Sequence, residues 1–128
     1  MKEYNIKESE KRRQPQWERE EVAVLVSEYF RTKDSLPEQE RSVELVSKIL
    51  RQRAKSLGRT VDERYRNITG IKMKFANMQA LDKDMVESGH VGLTNTSALE
   101  RQMVLEYKNN MEKVNQEAYF TVMKYIKL

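Results

Sequence analysis

Cysteine is absent from the 128 residues. Disulfides, zinc–thiolate sites, iron–sulfur clusters and cysteine nucleophiles are therefore excluded. Histidine occurs once, at His90. Metal sites built on several histidines are excluded with it, and a serine nucleophile would have one base to pair with. No Gly-x-Ser-x-Gly turn accompanies it; Ser88-Gly-His90-Val-Gly92 reads as a turn. Neither Gly-x-x-x-x-Gly-Lys nor Gly-x-Gly-x-x-Gly is present. Asp82, Asp84 and Glu87 offer oxygen ligands for magnesium without a partnering motif, and read as solvated loop residues. No apolar run approaches the roughly 18 residues of a membrane span. Met1 to Gln16 is charged and lacks an apolar stretch, so it is no signal peptide. The expectation is a cytoplasmic protein that is not an enzyme, needs no metal or cofactor, and has no membrane partner. In that setting the glycosylation-type triplets at Asn67 and Asn95 carry no meaning.

Glycine (four) and proline (two) are scarce, which favours long helices with few tight turns. Charged residues make up 34% and hydrophobic ones 38%, a polar balance that still permits a core. Residues 1–16, with Lys11-Arg12-Arg13, read as a mobile basic arm, and 17–128 as one helical domain. Val22, Leu25, Val26, Tyr29 and Phe30 share one face of a helix over 18–31, with Trp17 at its entrance. A second helix, 37–57, has Pro37 at its first position. It carries Val43, Val46, Ile49, Leu50, Ala54 and Leu57 as its stripe, and Gly58 as its stop. Thr60-Val-Asp-Glu63 resembles a capping box opening a third helical segment.

A straight helix from 61 to 82 would force Arg64 and Lys72 into or beside its apolar stripe. The pattern therefore predicts a break near 67–70. A fresh helix then runs to about Asp82, with Ile71, Phe75, Met78 and Leu81 inward. Residues 82–96 read as the longest internal loop. Ser97-Ala-Leu-Glu100 opens the last helical stretch, which Asn109-Asn110 can interrupt. Met73, Met78, Met103, Met111 and Met123 read as core fillers. Tyr65, Tyr107, Tyr119 and Tyr125 read as half-buried packing residues. No alternating strand pattern and no repeat appears. The class is all-α, a compact bundle of five or six helices.

Charge is spread unevenly along the chain. Residues 48–74 hold nine basic side chains and two acidic ones, Asp62 and Glu63, for a local charge of +7 against +4 for the whole chain. Two readings fit: a solvated helical face, or a surface for a phosphate backbone. On the second reading Arg51, Arg53, Lys55, Arg59, Arg64 and Arg66 contact phosphates. Asn67, Lys72, Lys74 and Asn77 come closer at the break, where helix N–H groups favour anions. Asn67 and Asn77 have a structural alternative, as a helix cap and a loop bridge.

Trp17-x-x-Glu20-Glu21-x-x-x-Leu25 resembles the opening helix of Myb/SANT-type domains. A longer likeness covers about 17–107. It runs through Trp17, Glu20-Glu21, Tyr29-Phe30, Leu45 and Leu50. It then takes in Tyr65-Arg66-Asn67-x-x-Gly70-Ile71-x-Met73-Lys74-x-x-Asn77-x-x-x-Leu81-Asp82, with Gly92-Leu93, Ser97, Leu99 and Glu106-Tyr107. This resembles the helical module that precedes HNH-type nuclease domains in bacterial restriction-like and phage-defence proteins. Relatives often carry proline after the asparagine, where this chain has Ile68-Thr69. The resemblance implies a role with DNA beside a nuclease domain or effector protein. One histidine cannot build a His-Asn-His site, so the chain is expected to be an excised N-terminal module or a stand-alone relative. The combined expectation is a non-catalytic module that binds or positions DNA for a restriction or antiviral-defence nuclease. The alternative is a protein–protein interaction module docking through Ala118, Val122, Met123 and Ile126.

Overall fold

The computed structural model describes residues 14–88 and 97–126. Five helices are present among the described residues: α1 (Arg19–Thr32), α2 (Leu36–Ser56), α3 (Ile68–Ser88), α4 (Ala98–Asn109) and α5 (Met111–Tyr125). No strand occurs among those residues. None of the helices is long and apolar enough to cross a membrane.

The first helix is the axis of the bundle. Val22, Ala23, Val24, Leu25 and Val26 are all fully buried, and α1 packs against each of the other four helices. An unbroken Val-Ala-Val-Leu-Val run gives a helix an apolar surface all round, which suits a central position rather than one amphipathic face. Around it lie Val43, Val46 and Leu50 of α2, Ile71, Phe75, Met78 and Leu81 of α3, Met103 and Val104 of α4, and Val114 and Ala118 of α5. The inward residues expected of α3 are therefore the buried ones.

Helix ends follow local chemistry. Ser35 accepts from the Glu38 N–H at the start of α2, and Pro37 occupies the second helical position, one later than expected. Gly58 ends the helix at φ +75°, a left-handed conformation that costs glycine little and other residues more. Ser97 and Glu100 form the expected capping box at α4. Asn110 separates α4 from α5, donating its N–H to the Glu106 carbonyl and accepting the Lys113 N–H.

Three expectations need correction. Residues 61–66 do not form a helix. The Asp62 carboxylate accepts the N–H groups of Arg64 and Tyr65 at 3.0 and 2.9 Å, which fixes a turn instead. Arg66 then sits at φ +45°, where a right-handed helix cannot pass. The chain is redirected into Asn67, which caps α3 through its Oδ1 on the Gly70 N–H at 2.8 Å.

Second, α3 does not stop at Asp82 but continues to Ser88. Asp82 is buried within it and receives Lys33 at 2.9 Å, Lys108 at 2.6 Å and the Tyr29 hydroxyl at 3.2 Å. Three donors meet the carboxylate's needs and remove the reason to end the helix there. Third, Met73, Met111 and Met123 are exposed, as is Tyr119; only Met78 and Met103 fill the core. The first thirteen residues of the expected basic arm, the turn about His90, and Asn95 lie outside the described residues.

Candidate nucleic-acid interface

The basic segment spans the end of α2, the turn beyond it and the start of α3. Four of its nine cations are paired with acids from elsewhere in the chain, with Arg53 and Arg66 buried, Lys74 half-buried and Arg59 exposed. The side chain of Arg53 is 7% exposed and reaches Glu18 at 2.8 Å and Glu20 at 2.9 Å. Arg59 holds both oxygens of Glu18, at 2.7 and 3.1 Å. These two guanidinium groups hold the Glu18 carboxyl at about 2, chiefly through the Arg59 and then the Arg53 hydrogen bond. Lys74 pairs with the buried Glu100 at 2.8 Å.

Arg66 is the fourth and the most deeply committed. Its Nε and Nη2 grip the two oxygens of Glu21 at 2.8 and 3.0 Å, with both side chains essentially out of water. Its guanidinium lies 4.3 Å from the Trp17 ring centre and 4.5 Å from that of Tyr65. Its Nη1 and Nη2 also donate to the carbonyls of Pro15 and Gln16, each at 3.1 Å. Arg66 thus ties α1, the 62–66 turn and the incoming strap 14–17 together. Glu21 accepts in addition the Glu18 N–H and the Tyr65 hydroxyl. Burial, and then the Glu21 charge, raise the Tyr65 phenol above its ordinary range.

Counting the partners changes the charge. Nine cations with Asp62 and Glu63 give +7; adding Glu18, Glu20, Glu21 and Glu100, which pair with Arg53, Arg59, Arg66 and Lys74, leaves +3. Arg51 is partly used as well: its Nη1 donates to the carbonyls of Asp62 and Tyr65 at 3.0 and 2.6 Å. That bond lays the turn alongside the outer face of α2.

Lys48, Lys55, Arg64 and Lys72 are exposed, and no acidic side chain among the described residues pairs with them. As expected from the break, both Arg64 and Lys72 reach solvent. Lys48, Arg51 and Lys55 succeed one another at helical spacing on α2, with the Arg64 turn beside them. Asn67 takes its structural alternative as the cap of α3, its Nδ2 also donating to the Glu63 carbonyl at 3.3 Å.

Two neighbouring clefts meet at Trp17 and Lys74. The first, about 330 Å³, is walled by Arg64, Gly70, Met73 and Asn77 together with those two residues. Asn77, half-buried, belongs to this wall. The second, about 580 Å³, opens at the start of α4 between the strap residues Pro15 and Gln16 and Ser97, Leu99 and Glu100. Glu100 is 1% exposed, and its Oε2 accepts from Lys74, the Ser97 N–H and the Ser97 hydroxyl. Its Oε1 has no hydrogen-bond partner among the described residues, an arrangement that costs about 1–3 kcal/mol when left unmet.

Sequence reasoning did not single out Glu18, Glu21, Glu100 or the strap as parts of this region. The three glutamates of the Glu18–Glu21 stretch were a usable signal, since a first turn this acidic invites arginines from a neighbouring segment. The partnering of Glu100 with Lys74 had none. No known protein family, curated protein or solved structure matches the chain.

Proposed function

We propose that this chain is a non-catalytic helical module that holds DNA by its phosphates. The contact edge is built from the outer face of α2, the 62–66 turn and the start of α3. One observation carries the reading: Lys48, Lys55, Arg64 and Lys72 are exposed and no acidic side chain among the described residues pairs with them, while Arg53, Arg59, Arg66 and Lys74 of the same segment are held in ion pairs. Exposed, unpaired cations gain from releasing the counterions of a nucleic-acid backbone. Arg51, anchored to two carbonyls, positions the turn that presents Arg64. Arg53, Arg59, Arg66 and Lys74 support the edge from behind. The likeness to helical modules that precede HNH-type nuclease domains supports the same assignment and a place beside a restriction or defence nuclease.

Titration of labelled duplex by anisotropy tests the proposal. Binding is expected at low salt with dissociation constants of roughly micromolar or weaker near physiological salt. Arg64→Glu combined with Lys55→Glu should abolish it without changing the circular dichroism spectrum. Unchanged affinity in that folded variant would refute the assignment.

A second reading, a protein-interaction module, draws on α5. Ala118 is buried and Val122 half-buried within the bundle, but Tyr119, Phe120 and Met123 are exposed on one face, with the two rings 5.9 Å apart edge to face. Association through that face would persist at salt concentrations that release DNA.

A further inference from the structure

The paired clefts at Trp17 carry a more specific inference, which rests on the DNA-binding reading above. Glu100 lines the larger one, and its buried Oε1 has no donor among the described residues. The missing partner is a group that donates a hydrogen bond. A neutral donor suits it, because Lys74 at 2.8 Å already balances the carboxylate's charge and Arg64 and Arg66 at the adjoining cleft disfavour a further cation. A ligand suited to this place combines a neutral N–H donor, a flat apolar body and a negative charge. The body would lie among Pro15, Trp17 and Leu99, and the charge would face Arg64, which has no acidic partner among the described residues. A nucleotide whose base carries an exocyclic amine meets all three requirements, since a glutamate can accept from the N4 amine of cytosine.

We propose that this cleft receives an unstacked, amine-bearing base from single-stranded or locally opened DNA. Glu100 reads the amine and Arg64 holds the adjoining phosphate. Glu100 Oε1 is buried away from water, so the base enters by displacing a wall. The strap is the wall suited to move: Pro15 and Gln16 are exposed, and each is held by one carbonyl hydrogen bond from Arg66. In the pose that sets position 4 of the ring against Glu100, cytosine donates its N4 amine whereas thymine presents its O4 acceptor, oxygen to oxygen, and must turn to offer its N3–H instead.

Trp17 is the only tryptophan, so its fluorescence reports occupancy of the cleft directly. The full chain is titrated with (dC)8, (dT)8 and dCMP, and labelled duplex binding is followed in parallel by anisotropy. The expected result is a saturable change in Trp17 emission, with (dC)8 acting at about tenfold lower concentration than (dT)8. In Glu100→Gln, which keeps the N-terminal box of α4, that ratio should fall to about one. Oligonucleotides that bind without altering Trp17, or that act equally in the unaltered chain, would overturn the base site and leave the phosphate reading intact. A preference that survives in Glu100→Gln would also overturn it. A response to dCMP and (dC)8 without duplex binding would support the cleft and remove the phosphate reading. Silence from every probe would remove both.

Discussion

Replacing Arg66 by methionine should be among the most damaging single changes in this protein. The substitution keeps an unbranched apolar stem but removes two bonds to Glu21 and two to the carbonyls of Pro15 and Gln16. It also removes the cation from between Trp17 and Tyr65. Glu21, fully buried, would keep only the Glu18 N–H at 2.9 Å and the Tyr65 hydroxyl at 3.3 Å. Removing one member of a buried ion pair costs about 3–5 kcal/mol, mostly because the other charge is stranded. Against a typical total stability of about 5–15 kcal/mol, that is a large share. The backbone strain at φ +45° remains in the variant, so the difference reports the side chain. The pair Glu21→Met with Arg66→Met strands no charge and should lose less than Arg66→Met alone, giving a coupling of several kcal/mol in a double-mutant cycle. Urea unfolding followed by circular dichroism measures all four proteins. A loss below about 1 kcal/mol for the single variant, or strict additivity of the two, would refute the role given to this pair.

Acid should weaken the fold through its paired glutamates. Glu18 is held at about 2 by Arg59 and Arg53, and Glu106 at about 2 by Arg19 and then Gln102. Both lie below their ordinary 4.5, so their stabilisation is complete above that value and is lost as pH falls towards about 2. The urea midpoint should be flat above about pH 5 and decline below it, with each partly exposed pair contributing no more than about 1 kcal/mol. Glu106→Gln should flatten part of that decline; an unchanged acid limb would count against the pairing. Asn67→Ala should cost about 1 kcal/mol as a lost helix cap, measured by urea unfolding, while duplex affinity at temperatures where the variant is folded stays the same. A selective fall in affinity would mean that Asn67 touches DNA. Gly58→Ala, which forces φ +75° on a residue with a Cβ, should lower stability by about 1 kcal/mol, seen as an earlier thermal midpoint; a gain would show that the turn relaxes.

The helical class and the inward residues of α3 could be read from spacing alone, because 3.6-residue periodicity is a local property of the chain. An interruption ahead of α3 was legible for a different reason, since a straight helix would have buried Arg64 and Lys72; it falls at 62–67, earlier than the expected 67–70, and residues 68–70 already belong to α3. Local reading failed where a polar residue's partner is distant in sequence. Asp82 looked like the start of a loop because Lys33 and Lys108, which satisfy it, lie 49 and 26 residues away. The same blindness made 48–74 look like an uncompensated basic surface, since Glu18, Glu20 and Glu21 come from the far end of the chain. Sequence could not tell a structural arginine such as Arg53 or Arg66 from an available one such as Arg64. Burial depends on which helix becomes the axis, and only the Val22–Val26 run hinted at that.

Arg51, Arg53, Arg59, Arg66 and Lys74 of the basic segment serve the fold, and on the proposed function Lys48, Lys55, Arg64 and Lys72 face DNA. The salt dependence of duplex binding measures this most directly, because the slope of log Kobs against log salt is about −0.9 per phosphate neutralised. Contact by Lys48, Lys55, Arg64 and Lys72 gives a slope of about −3.6, whereas contact by all nine cations would give about −8. A slope between about −2 and −4 is expected; one steeper than about −6, or no binding at low salt, would rule out contact by these four cations alone.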